Sequence, residues 1–81
     1  MSEQQIRSAV FRILGRIAPE ANLDQISLEA NLREALDIDS FDFLNLMIGL
    51  HDELNVEISE SEYPKLSTLR ELVRYLADRL E

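Results

Sequence analysis

The stretch Asp39-Ser40-Phe41-Asp42-Phe43-Leu44-Asn45-Leu46-Met47-Ile48-Gly49-Leu50-His51-Asp52-Glu53-Leu54 is the most apolar helical segment of the chain. Phe43, Leu46, Met47, Leu50 and Leu54 recur at three- and four-residue steps, which predicts a helix over 40–54 with one face in a core. A second apolar row, Phe41, Leu44 and Ile48, falls at i, i+3 and i+7 beside acidic Asp42 and Asp52. Such a row is either a docking surface or the second face of a helix buried on two sides. A small domain that binds nothing seldom keeps one exposed.

Upstream, Ser2 and Gln5 have the spacing of a capping box, and Ile6, Ala9, Val10, Ile13, Leu14 and Ile17 form one buried stripe. A first helix over about 3–17 follows, ended by Pro19, because the residue before a proline is pushed out of the α region. Phe11 lies off the stripe, as an aromatic at the rim of a small core. From Ala18 to Asp39 no period is sustained, and Leu23, Ile26, Leu28, Leu32, Leu36 and Ile38 stand as isolated anchors. This is a long connection pinned to the core at intervals, with a helical turn near 31–35. Connections of this length are usually functional or needed to span a fold.

Downstream, Val56 and Ile58 tuck inward from a turn. Ser59 with Glu62 caps a short helix at about 60–65, which Pro64 cuts off. Thr68 with Glu71 marks the start of a last helix over about 68–80, whose Leu69, Leu72, Val73, Leu76, Ala77 and Leu80 repeat the spacing of the first. The expectation is an all-α four-helix bundle, with three longer helices, one short one and a long loop between the first two.

The chain has 81 residues, no cysteine, and 16 acidic against 8 basic side chains for a net charge of −8. One domain over 1–81 with one core fits that length. No disulfide or thiolate metal site can staple it, which suits a reduced compartment. The negative charge works against nucleic acid and anionic membrane as partners and favours basic protein surfaces. Between Glu34 and Glu62 there are nine Asp or Glu and no Lys or Arg, so the middle of the chain is its electronegative part. The polar start lacks the pattern of a signal peptide, and no run is long enough to span a bilayer. A cytoplasmic monomer is expected.

Asp37-Ile38-Asp39-Ser40-Phe41-Asp42 begins like a calcium loop, but the third ligand position is Phe41, the glycine position is Asp42 and the closing glutamate position is Ile48. No metal site is expected. Nucleophilic catalysis has no base, since His51 would lie about 16 Å from Ser40 along a helix. Ser40 alone is accounted for as a helix cap. Flanked by Asp39 and Asp42, ahead of an apolar row and with no catalytic equipment near it, it is better suited to being modified than to doing chemistry.

Asp39-Ser40-Phe41-Asp42, preceded by Leu36 and followed by Leu46, Leu50 and Asp52-Glu53, resembles the attachment motif of acyl carrier proteins. Val56-Glu57-Ile58 and Leu66-Ser67-Thr68-Leu69 extend the resemblance over most of the chain. It implies a carrier, not an enzyme, with 4′-phosphopantetheine joined to Ser40 beside Asp39 by a transferase that uses coenzyme A. The working thiol then comes from the arm, where an acyl or related group is held as a thioester for presentation to partner enzymes. Phe41, Asp42, Leu44, Ile48 and Asp52 would dock acyl-loading and acyl-transfer enzymes through their basic patches.

The chain departs from the family pattern in four places. Asp37 stands where glycine is usual, Asn45 where glutamate is common, His51 at an acidic position, and Phe43 where a smaller residue often faces the acyl cavity. These departures imply a dedicated carrier in a specialised lipid, polyketide or aminoacyl pathway, holding a short or polar group. The alternative from another class is an unmodified acidic adaptor that binds one partner through the helix at 40–54. Arm attachment separates the two.

Overall fold

The structure, a computed structural model, describes residues 2–80. They form α1 (Glu3–Ile17), α2 (Leu32–Leu36), α3 (Ser40–Leu54) and α4 (Leu69–Leu80), with 3₁₀ turns at Leu23–Gln25 and Glu60–Lys65. The expected all-α bundle is what the chain adopts. Ser2 Oγ accepts the Gln5 N–H at 3.1 Å and Gln5 Oε1 accepts the Ser2 N–H at 2.9 Å, so both halves of the first capping box are made. At the last helix the same device is centred on Thr68, whose Oγ1 accepts the Glu71 N–H at 3.1 Å. Thr68 is therefore the cap, and the helix proper starts one residue later than the spacing suggests.

Ile6, Val10 and Leu14 of α1, Leu46 and Leu50 of α3, and Leu72 and Leu76 of α4 are completely removed from solvent. The apolar stripes meet with α1 in the middle, packed on both α3 and α4. Gly49 sets how closely α3 approaches α1: a Cβ there would lie 3.0 Å from Ile13 Cγ2, tighter than ordinary contact. On the outside of that seam Glu53 pairs with Arg12 and, at 3.6 Å, with Arg16. Phe11 is half-buried against the core, at its rim.

The long connection is held by its anchors, with Leu32, Leu36 and Ile38 buried and Leu23, Ile26 and Leu28 half-buried. Backbone bonds sew it to the start of α4. The Leu32 N–H donates to the Ser67 carbonyl at 2.8 Å and the Arg70 N–H to the Leu28 carbonyl at 3.0 Å, around an isolated antiparallel bridge between Asn31 and Thr68. The helical turn expected near 31–35 is α2, capped by Asn31 Oδ1 on the Glu34 N–H at 3.1 Å.

Asp37 ends α2 with φ 54° and ψ 46°, a left-handed conformation that glycine adopts freely and aspartate tolerates at some cost. That reversal lets Ile38 point into the core and Asp39 begin α3 at the surface. Asn55 ends α3 in the same conformation, at φ 54° and ψ 45°.

The segment over 60–65 corrects one expectation. Pro64 does not cut the helix short but lies inside a 3₁₀ turn that runs to Lys65. Bonds from the Glu62 N–H to the Ser59 carbonyl at 2.9 Å and from the Leu66 N–H to the Tyr63 carbonyl at 3.0 Å hold the turn on either side. Proline forfeits only the one bond its missing N–H would make.

Candidate functional site

Ser40 is the first helical residue of α3 and is exposed. The cap is Asp39, whose Oδ1 accepts the Asp42 N–H at 2.9 Å. Of the two residues that could cap this helix, Asp39 has the extended backbone a cap requires, φ −91° and ψ −177°. Among the described residues no hydrogen bond engages the Ser40 hydroxyl. The oxygen is free, exposed, and at the positive end of a 15-residue helix.

An anionic group is favoured at that position. The helix dipole favours negative charge at its N-terminus, and a hydroxyl that bonds to nothing else can be derivatised without undoing the fold. Beside it lies a depression of about 340 Å³ lined by Ser40, Phe41, Leu44, Glu60 and Tyr63. Phe41, Leu44 and Tyr63 give the depression apolar wall, and Ser40 and Glu60 give it polar groups. A second hollow, of about 520 Å³, is lined in part by Ile17, Pro19, Ala35, Asp37, Ile38 and Asp42, without Ser40.

Of the expected docking row, Phe41 is 67% exposed and Ile48 48%, the two exposed large apolar side chains among the described residues. Leu44 between them is half-buried. The row is thus open at both ends and seated in the bundle at its middle. Asp52 is exposed near the far end of the same helix, and Asp42 is half-buried at its start. The structure brings Phe41 and Leu44 to Ser40; Ile48 and Asp52 lie further along α3, outside the depression.

Not every acidic residue of this region is free. Glu53 is held by the two arginines of α1, and Glu62 pairs with Lys65 at 3.8 Å. Asp37, Asp39, Asp52, Glu57 and Glu60 are exposed without an ion pair among the described residues. His51 lies in the last turns of α3, with Nδ1 2.8 Å from the Val56 carbonyl, so the ring donates there and helps close the helix. It has no contact with Ser40.

Two residues that sequence spacing did not single out share the depression with Ser40. Glu60 and Tyr63 arrive from the 3₁₀ turn, and Tyr63 stands edge-on to Phe43, with ring centroids 6.0 Å apart and planes at 78°. Burial, with Glu60 nearby as the lesser cause, raises the Tyr63 phenol above its ordinary range. No periodicity links segments so far apart in the chain.

A family model described as a phosphopantetheine attachment site matches residues 4–76. An acyl carrier protein of Chlorobium phaeobacteroides is 30% identical over 79 residues, which cover 98% of this chain and 100% of that protein. Among solved structures, that of an acyl carrier protein from Enterococcus faecalis superposes with a TM-score of 0.82 at 24% identity, over 98% of this chain and 99% of that one. That superposition shows the fold, and the sequence matches show the family. The chain belongs to the acyl carrier proteins, carriers rather than enzymes, whose prosthetic group is covalently attached 4′-phosphopantetheine.

Proposed function

We propose that Ser40 is the attachment residue, and that residues 1–81 act as one freestanding carrier domain in the cytoplasm. The observation that carries this is the division of labour at the start of α3, where Asp39 caps the helix and leaves the exposed Ser40 hydroxyl unengaged. Full coverage of the Chlorobium relative supports the single-domain reading. When attached, the arm supplies a terminal thiol that holds an acyl group as a thioester.

The chain's own residues position and present. The N-terminus of α3 favours the phosphodiester charge. Asp39 keeps the first turn formed, and the packed α1–α3 seam keeps α3 rigid behind it. Phe41, Leu44 and Ile48 offer apolar contact to loading and transfer enzymes and to the transferase, while Asp42 and Asp52 meet their basic patches. Charge at the rim mainly speeds encounter, and the apolar row provides most of the contact energy. Contact over one helix face is small, which suits partners that must exchange.

The pathway is a specialised one, by four departures from the family pattern. Asn45 and His51 are exposed on α3 and reduce its negative charge where the family commonly has acidic residues. Asp37 takes the left-handed position where glycine is usual, and Phe43 fills core volume. Partners selected for the common charge pattern would meet a different one here. Incubation with coenzyme A and a broad-specificity phosphopantetheinyl transferase, followed by peptide mapping, is expected to place the arm on the peptide containing Ser40. An arm found on Ser59 or Ser61 would contradict the assignment.

A further inference from the structure

We infer that Tyr63 and Phe43 close the bundle beside Ser40, so that this carrier holds short acyl groups on its outside and does not take a long alkyl chain into its core. The inference rests on Ser40 carrying the arm and goes beyond it by naming which cargo the site excludes and which side chains exclude it. Any group joined to Ser40 meets first the depression of about 340 Å³ that Ser40 lines with Phe41, Leu44, Glu60 and Tyr63. Tyr63 lines that depression and packs against the core. Its ring stands edge-on to Phe43, which is only 7% exposed and belongs to the same core as Met47, Leu50 and Leu66.

The pair is fixed from both sides. Phe43 sits on α3 within the packed face of the helix, and Tyr63 is held in the 3₁₀ turn by the Leu66 N–H on its carbonyl at 3.0 Å, with Pro64 next in the chain restricting the backbone. Edge-to-face aromatic pairs are favourable beyond the area they bury. Behind them Met47, Leu50, Leu66 and Leu69 are at most 2% exposed. An alkyl chain entering from the depression would have to move the Tyr63 or the Phe43 ring out of its place. Ser40 does not line the hollow of about 520 Å³, whose lining includes the acidic residues Glu20, Asp37 and Asp42.

The test loads the wild type and Tyr63→Ala with an acetyl arm and with an octanoyl arm from the corresponding acyl-coenzyme A, and compares methyl spectra of Met47, Leu50 and Leu66. In the wild type these core signals are expected to coincide for the two cargoes. In Tyr63→Ala they shift with octanoyl and not with acetyl, and hydroxylamine cleaves the octanoyl thioester of the variant more slowly than that of the wild type. Tyr63→Val, a smaller truncation, runs alongside and is expected to behave in the same sense. Core shifts caused by octanoyl in the wild type would overturn the inference, as would folded variants that stay as silent as the wild type. Loading is read separately from intact mass: a chain that accepts no arm contradicts the Ser40 assignment, whereas a loaded wild type whose core responds contradicts the closed-bundle inference alone.

Discussion

Asp39 Oδ1 accepts the backbone N–H of Asp42 at 2.9 Å, and with that bond the aspartate becomes the cap of α3 while its neighbour Ser40 is left without a structural duty. The separation has a direct consequence for stability. Asp39→Ala should lose about 1 kcal/mol, the usual cost of removing a capping side chain. Ser40→Ala should change stability by less than about 0.5 kcal/mol, as an exposed substitution that breaks no bond. Urea denaturation of the two variants checks this, and an equal loss for both would mean that the serine shares the capping.

The apolar row on α3 separates in the same way from the core face. Ile48→Ala, on a side chain 48% exposed, should alter stability little and slow turnover by partner enzymes. Leu50→Ala, at 0% exposed, should cost about 2 to 5 kcal/mol. Leu44 is half-buried, so Leu44→Ala should fall between them and affect both readouts. Thermal melts paired with partner turnover decide the matter. Were Ile48→Ala as damaging to the melt as Leu50→Ala, the row would belong to the core.

Asp37 holds a left-handed backbone at φ 54°, where a side chain costs roughly 1 kcal/mol or more relative to glycine. Asp37→Gly should therefore raise the melting temperature despite the extra freedom it gives the unfolded chain, and Asp37→Ala should lower it. Removal of one carboxylate from the approach to Ser40 adds to the first effect and tempers the second. The opposite order would show that the aspartate side chain stabilises this turn more than its backbone strains it.

Glu71 is a carboxylate held by the start of α4. The Thr68 N–H, first, and then the Thr68 and Ser67 hydroxyls lower its pKa below the ordinary value. A depressed pKa in the folded state means that the unfolded chain takes up the proton first as pH falls. The stabilisation is therefore complete above the unfolded-state value of about 4.3 and is lost as pH drops through the folded-state value. Glu71→Gln should be less stable than the wild type at neutral pH, and the gap between their melting temperatures should narrow below about pH 4. A gap that stays constant on acidification would mean that the carboxylate charge has no part in the cap.

Much of this architecture was legible from residues that act locally. Ser2 with Gln5 and Thr68 with Glu71 marked helix starts because a capping box is made within one turn of chain, and the stripe from Phe43 to Leu54 marked α3 because its period needs no knowledge of the partner face. The features that stayed hidden join distant segments. Nothing in the connection signals that Leu32 bonds to Ser67 and Arg70 to Leu28, since backbone groups carry no sequence label. The ion pairs of Glu53 with Arg12 and Arg16 were invisible for the same reason, and they remove one carboxylate from what reads as an unbroken acidic segment.

The site divides along the same line. Ser40 could be singled out from its neighbours in sequence, because a lone serine between aspartates at a helix start is a local pattern. Tyr63 could not, because its position beside Ser40 and against Phe43 follows from how the 3₁₀ turn folds over α3. The choice between Asp39 and Ser40 as cap is likewise not local to residue type: both types cap well, and the backbone angles decide.

The central claim is that Ser40 carries the prosthetic arm, and intact mass tests it most directly. Wild type and Ser40→Ala are each incubated with coenzyme A and a broad-specificity phosphopantetheinyl transferase, with circular dichroism to establish that both are folded. The wild type is predicted to gain the mass of one 4′-phosphopantetheine and the folded Ser40→Ala variant to gain none. A wild type that stays at its unmodified mass, or an alanine variant that gains the arm, would contradict it.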